Sequence, residues 1–371
     1  MKKMLIVTPF IPGNQTAGQH YTLNLINDLA RDVSIDICCF KYTKDAPYLP
    51  AVTGVRVAKT IIISAIRKMI NCCKLPFLHP LFTCRFEFLI ALFLFRRRND
   101  YDCFYFDFSQ TFIYSLFVPG TKKYLMFHDV IAQKYSRRRG WHNRVNYFLA
   151  KFTERIVLHL SGGTAVCFSD KDGRILRELY GVEAHQVDLY LGNDVQNLDY
   201  HQVEYTGRFA FFGAWSRPEN LNGLIWFLDA VLPLLSDEIH FVIIGGGLSP
   251  VVQERIRQLP NITMTGFLDN PYPTLAGCAG LVAPLFQGAG VKVKVLEALA
   301  CGTPVIGTGI ALEGIELVEG AMLMHCEKAE DFAVSIKSML KLDTTTKLRL
   351  RENFLSCYPK HLFREIFAHE I

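Results

Sequence analysis

The sequence predicts two doubly wound α/β domains in tandem, each a parallel sheet with helices on both faces, with an interdomain cleft as the expected ligand site. Three observations predict it. Short β-branched and aromatic runs alternate with longer stretches of helical apolar spacing, the signature of βαβ units. A polar stretch from Gly192 to Gly207 breaks the rhythm, which then restarts. The chain has 371 residues, half of them apolar and without repeats or low-complexity tracts, which suits two packed domains and excludes a disordered or fibrous protein.

The elements follow in order. Met4 to Val7 reads as a first strand because Pro and Gly follow at once. Tyr21, Leu25, Ile26 and Leu29 then recur at helical spacing, and Ile35 to Phe40 is strand-like again. Cys103 to Phe106, Tyr124 to Phe127 and Thr164 to Phe168 have the near-continuous apolar character of buried parallel strands. After the polar stretch, read as a linker, Phe209 to Phe212 is a strand and Leu224, Phe227, Leu228 and Val231 mark a helix. His240 to Ile244, ending in three glycines, opens a further series of strands: Ile262 to Thr265, Leu281 to Pro284, Pro304 to Ile306 and Met322 to Met324. The expected domains are residues 1–195 and 205–355, with 356–371 a terminal helix crossing back to the first.

Charge is unevenly spread. Residues 1–200 carry 26 Lys and Arg against 17 Asp and Glu, whereas 201–371 carry 14 against 18, so the first half is suited to an anionic partner. Eleven cysteines, an odd number with two adjacent pairs and no C-x-x-C, argue against a disulfide framework or thiolate metal site and fit a reducing cytoplasm. The run FEFLIALFLF at 86–95, followed by Arg96, Arg97 and Arg98, is about half the length a spanning helix needs. It reads either as a buried helix with a cationic end or as an interfacial segment with Arg on lipid headgroups. Lys122, Lys123 and Arg137 to Arg139 add to the second reading.

Residues 283–308, APLFQGAGVKVKVLEALACGTPVIGT, are the densest in chemistry. Gly288 and Gly290 let backbone approach a ligand, and a helix then runs from near Val291 to Gly302. Unpaired N–H groups and the positive end of the dipole make such a helix start an anion site. Lys294 and Glu297, three apart, share a helix face, which suits a diphosphate and ribose hydroxyls and equally suits a solvated surface pair. Lys292 points about half a turn away.

This run resembles the donor-site segment of the retaining family-4 glycosyltransferases of bacterial surface-polysaccharide type, which have the two-Rossmann-domain GT-B fold. The similarity extends to FFGAWSRPENLNGLIWFLDAVLPLL (211–235), VIIGGG (242–247) and TGFLDN (265–270), and more loosely to TPFIPGNQTAGQHY (8–21) and LMFHD (125–129). The resemblance implies an N-terminal acceptor-binding domain and a C-terminal domain that holds a nucleotide-sugar. Glu297 would hold the ribose; Lys294, with Arg217 or Lys292, would neutralise the departing diphosphate. Gly213, Gly245, Gly288 and Gly290 would line the donor and backbone near Phe267 would meet its base. Gly18 would let the N-terminal domain close on the phosphates. His128 would give a hydrogen bond near the anomeric centre, with His20 and Asp129 on the acceptor side. Two departures stand out: Ala289 occupies the position of a carboxylate that many relatives carry eight residues before Glu297, and Arg217 alone stands where many have a basic pair.

Asp170-Lys171-Asp172 has the form of a metal-binding Asp-x-Asp, but Ser169 three residues before Asp172 reads as a helix cap. No metal or other cofactor is expected, since fixed cations and helix N–H groups would stabilise the leaving group. Trp215 reads as a pocket wall or as packing. The expected partners are a nucleotide-sugar, a lipid-linked or oligosaccharide acceptor and an anionic membrane surface at the cytoplasmic face. The alternatives are a nucleotide-sugar epimerase or other GT-B enzyme, or a protein that binds nucleic acid or another anionic surface through its basic half.

Overall fold

A computed structural model describes residues 2–13, 16–42, 55–63, 78–82, 86–98, 100–118, 120, 122–315, 322–340 and 342–370. The chain falls into two units, Met1–Tyr190 with His361–Ile371, and Leu191–Lys360.

The first unit is built on seven strands: β1 (Lys2–Thr8), β2 (Val33–Tyr42), β3 (Val55–Ile63), β4 (Cys103–Asp107), β5 (Lys122–Phe127), β6 (Thr164–Cys167) and β7 (Ala184–Gln186). Their order is β3-β2-β1-β4-β5-β6-β7 and every pairing is parallel. Ile6 of β1 lies opposite Ile37 on one side and Tyr105 on the other. β1, β4 and β5 bury successive residues on both faces, as central strands covered by helices require. The order reverses between β1 and β4, so the crevice beyond their carboxyl ends is where such a sheet accepts ligands.

The second unit has six parallel strands: β8 (Phe209–Phe212), β9 (Phe241–Ile244), β10 (Ile262–Gly266), β11 (Gly280–Ala283), β12 (Val305–Gly307) and β13 (Leu323–His325). Their order, β10-β9-β8-β11-β12-β13, reverses between β8 and β11. Its core joins Phe209, Phe211 and Phe241 from the sheet to Leu224, Phe227 and Val231 from the helix that follows β8. Pro218 starts that helix, and its last turn widens to a π form over Phe227–Val231.

Local chemistry explains the helix limits. Thr16 caps the Ala17–Leu29 helix by accepting from the Gln19 N–H, and Tyr21, Leu25, Ile26 and Leu29 form its buried stripe. Ser169 accepts from the Asp172 N–H at the start of the Asp170–Tyr180 helix, so the Asp-x-Asp run is a helix start. Asp172 is buried beside Lys171 at 2.8 Å, and Asp170 pairs outside with Arg174 at 3.0 Å. The terminal Phe363–Glu370 helix belongs to the first unit: Phe363 packs on Tyr105 and Tyr124, and Arg364 reaches Asp32 at 2.7 Å.

Three expectations are corrected. The polar stretch at 192–207 is not a free linker: it forms the Asn193–Gln196 helix and a Tyr200–Gln202 turn within the second unit. Arg351 donates to the carbonyls of Val195 and Gln196 at 2.9 and 2.7 Å, and Tyr200 to that of Cys301 at 2.8 Å. Lys123 does not face a membrane, because it is buried with its ammonium on the carbonyls of Ser115 and Ser161. The Phe86–Arg98 helix divides its apolar residues, burying Phe88, Ala91 and Leu92 and exposing Ile90, Phe93 and Leu94. The side chains of Arg96 to Arg98 lie outside the described residues. Among the described residues no helix is long and apolar enough to cross a membrane, and each described cysteine is a free thiol.

Candidate functional site

Two clusters of chemistry-bearing residues form, one in each unit, each beyond the carboxyl ends of strands beside the point of reversal.

In the second unit, Gly213 directly follows β8 and Gly245 directly follows β9. The two loops touch so closely that a Cβ on Gly245 would stand 2.1 Å from the Gly213 carbonyl oxygen, and Gly245 has φ +116°. Only glycine allows that approach. A Cβ on Gly213 would meet the Asn220 amide at 2.9 Å, so Gly213 leaves room for Asn220. Asn220 is then held by donating to the Ala214 carbonyl at 2.9 Å, and its Oδ1 accepts from the Lys294 ammonium at 2.9 Å. Lys294 lies in the first turn of the Val293–Ala300 helix, which follows the Gly288–Gly290 loop after β11. Burial, then the charges of Lys292 and Arg217, lower its pKa to about 7, although Glu219 opposes them. Three cations thus crowd one place, and an anion between them would relieve the repulsion. Lys292 caps the loop, donating to the carbonyls of Ala289 and Gly290 at 3.2 and 2.5 Å.

One turn along, Glu297 accepts from the Tyr272 hydroxyl at 2.9 Å, and burial raises its carboxyl to about 6. Lys294 and Glu297 share the helix face as expected but do not pair; each has a partner from another element. Phe267 stands beside Gly246 with its side chain 73 % exposed. Trp215 is a core residue, its indole N–H donating to the Ile244 carbonyl at 3.2 Å.

The cluster in the first unit centres on His128, just beyond β5. Its Nε2 lies 2.8 Å from Oδ1 of Asp107, the last residue of β4, whose side chain is wholly buried. Thr22 donates to the other Asp107 oxygen at 2.5 Å. A carboxylate accepts only, so Nε2 carries a proton; whenever the ring holds just that one, Nδ1 is an acceptor. Phe108 stacks on the imidazole with ring centroids 3.4 Å apart, while Tyr21 and Phe168 meet its edge. Phe108 has φ +64°, the one described non-glycine residue in that region, and such strain persists only where packing enforces it. Gly18 supplies part of that packing: a Cβ there would sit 2.7 Å from Phe108 Cζ.

The carboxylate bonded to His128 is that of Asp107. Asp129 lies near Glu154, whose carboxyl is raised to about 7 chiefly by burial. Glu154 accepts from the Ile131 and Ala132 N–H groups at 2.8 and 3.1 Å and from the Tyr180 hydroxyl at 2.6 Å, fixing the helix that follows His128-Asp129. His20, half-buried, lies in the first turn of the Ala17–Leu29 helix. Asp107, Asn220, Tyr272 and Glu154 were missed in the sequence because each is recognised only through a partner distant along the chain. Among the described residues no three His, Cys, Asp or Glu side chains gather as a metal site.

Residues 206–342 match the family of glycosyl transferases group 1, and the whole cluster of the second unit lies within that span. The chain is 25% identical over 174 residues to a Klebsiella pneumoniae protein described as an uncharacterized 44.6 kDa protein in cps region, covering 42% of this chain and 44% of that protein. The match thus spans less than half of that relative's length. Its fold is shared with WaaG, a glycosyltransferase involved in lipopolysaccharide biosynthesis, at TM-score 0.66 and 14% identity over 95% of this chain and 94% of WaaG. It is shared also with a mutant of S. aureus TarM solved with fondaparinux, α-GlcNAc-glycerol and UDP, at TM-score 0.69 and 12% identity over 99% and 98% of the two chains. The structures establish the fold, two parallel-sheet α/β units; the group 1 match, together with that fold, supports a GT-B glycosyltransferase.

Proposed function

We propose that the chain is a retaining, metal-independent glycosyltransferase that moves a sugar from a nucleotide-sugar to a glycan acceptor in bacterial surface-polysaccharide or lipopolysaccharide synthesis. The observation that carries the proposal is the crowding of Lys294, Lys292 and Arg217 at a glycine loop and helix start, with the Glu297 carboxylate one turn along. That spacing matches a diphosphate bound by the cations and N–H groups, with ribose hydroxyls donating to Glu297. In the reaction the bond from the anomeric carbon to the diphosphate breaks and one to an acceptor hydroxyl forms. Charge grows on the diphosphate as it departs, and preorganised cations stabilise it there. A metal ion would duplicate that role.

His128 of the first unit offers Nδ1 to a hydroxyl of the sugar or acceptor. The acceptor in this reading is lipid-linked, presented at an anionic membrane surface on the cytoplasmic side, which suits the basic first half of the chain.

The test is incubation with a panel of nucleotide-sugars, beginning with UDP-sugars because TarM was solved with UDP, and lipid-linked acceptors, with EDTA present. Release of nucleoside diphosphate and an NMR-assigned product anomer matching the donor support the reading. An inverted anomer removes retention, and activity restored only by added Mg²⁺ or Mn²⁺ removes metal independence.

A further inference from the structure

The Trp141–Ser161 helix has two apolar faces. One packs inward through Ala150, Val157 and Leu158. The other is turned outward: Trp141 is 68%, Val145 47%, Phe148 67% and Phe152 48% exposed. At about 100° per residue these four fall within an arc of about 60°, opposite the inward face. A helix apolar on both sides has a second surface to cover. In the same unit the Phe86–Arg98 helix also turns Ile90, Phe93 and Leu94 outward.

The charges around the stripe say what covers it. Residues 131–161 hold seven Lys and Arg and a single acidic residue, Glu154, which is buried. By the same angular spacing Arg144, Lys151 and Arg155 run along one flank of the stripe, and Arg137, Arg138 and Arg139 precede its first turn. Aromatic side chains bordered by cations are the composition that settles in the headgroup layer of an anionic bilayer. A second copy is a poorer fit, because two-fold pairing of this face would bring like charges together.

We propose that this face seats the protein on an anionic lipid bilayer. Trp141, Val145, Phe148 and Phe152 enter the boundary between headgroups and acyl chains, and Arg144, Lys151 and Arg155 meet headgroup phosphates. The proposal rests on the acceptor reading above for its purpose and on the surface of the helix for its substance.

The test is co-sedimentation of the full chain with vesicles of equimolar phosphatidylcholine and phosphatidylglycerol, and with phosphatidylcholine alone, at low and high salt. The wild type binds the anionic vesicles, more weakly as salt rises. Trp141→Ser with Phe148→Ser lowers partitioning by roughly 30-fold, and Arg144→Gln with Arg155→Gln by roughly tenfold at low salt. Both pairs are exposed, and an unchanged thermal midpoint shows that each variant folds. Three outcomes overturn the proposal: wild type and apolar variant partitioning alike, a wild-type dimer that the apolar pair dissolves, or single-stranded DNA binding that the apolar pair abolishes while vesicles go unbound. Thermal shifts with nucleotide-sugars separate the two readings. A nucleotide response without vesicle binding sinks this proposal alone; vesicle binding without a nucleotide response sinks the donor reading alone.

Discussion

Asp107, the last residue of β4, and His128, the residue after the adjacent parallel strand β5, are joined by a 2.8 Å hydrogen bond that puts a proton on Nε2. The buried carboxylate accepts from Nε2, so Nδ1 is left to accept from a substrate hydroxyl. Asp107→Asn can satisfy the ring in the opposite tautomer, which turns Nδ1 into a donor. In the proposed reaction this substitution lowers kcat about 10- to 100-fold, the range of a lost positioning partner, with donor affinity unchanged. Steady-state kinetics beside nucleotide titration check it; an equal loss in both assigns Asp107 to folding.

The ring behind that bond is held by Phe108, and Phe108 by Gly18. A methyl at position 18 would stand 2.7 Å from the Phe108 ring, so Gly18→Ala displaces the ring that stacks on His128. Overpacking of this kind costs about 1–3 kcal/mol. The expected result is a lower thermal midpoint together with reduced turnover, and Phe108→Leu in the same chain recovers the midpoint but not the turnover. A Gly18→Ala variant with wild-type stability and rate contradicts the packing.

The donor cluster makes affinity depend on pH in a definite sense. Glu297 is raised to about 6 and Lys294 lowered to about 7, chiefly by burial. Ribose hydroxyls favour the ionised carboxylate, and a diphosphate favours the ammonium. Below about 6 Glu297 must release a proton on binding; above about 7 Lys294 must gain one. Affinity for a nucleotide-sugar therefore peaks between the two values and weakens on both sides, by up to about tenfold per pH unit. Calorimetry in buffers of different ionisation enthalpy checks it: net proton uptake on the alkaline side, release on the acid side. Affinity flat from pH 5 to 9 would count against both residues.

The contact between the loops after β8 and β9 tolerates no side chain. Gly245→Ala forces a Cβ to within 2.1 Å of the Gly213 carbonyl oxygen unless the loops part. The expected cost is about 2–4 kcal/mol, from strain at positive φ added to overpacking. Because Gly213 also makes room for Asn220, nucleotide affinity falls with it. Urea denaturation and titration of the same variant measure both.

Glu154 stabilises the start of the helix after His128. Glu154→Ala strands the Ile131 and Ala132 N–H groups and the Tyr180 hydroxyl, at a cost of about 3 kcal/mol or more. The wild-type group carries the opposite sign from a surface carboxylate. Its folded pKa, about 7, lies above the ordinary value of 4.5, so the folded state binds the extra proton and this group's contribution to stability falls as pH rises from 4.5 to 7. Urea midpoints across that range, compared between wild type and variant, check the sign.

Runs such as FAFF (209–212) and FVII (241–244) were legible as strands because a parallel sheet buried on both faces demands continuous apolar residues. The strand Ala184–Gln186 carries no such signal, since it has three residues and lies at the sheet edge. Polarity misled at 192–207, where carbonyls that looked solvated are bound by the Arg351 guanidinium. The site was half legible. Lys294 and Glu297 announce themselves by helical spacing on one element, whereas Asn220 and Tyr272, which hold them, come from two other helices, 74 and 25 residues away. For His128 the adjacent Asp129 was the nearest carboxylate in sequence, and the sheet supplied Asp107 from the neighbouring strand instead.

The central claim is a nucleotide-sugar site on the second unit, and metal-free titration of wild type and Glu297→Ala with a panel of nucleoside diphosphates and nucleotide-sugars tests it most directly. The account predicts a thermal shift and saturable binding for one nucleobase, with affinity at least about tenfold weaker in a variant that melts like the wild type. Wild-type affinity in Glu297→Ala, or no response of the wild type to any nucleotide, would contradict it.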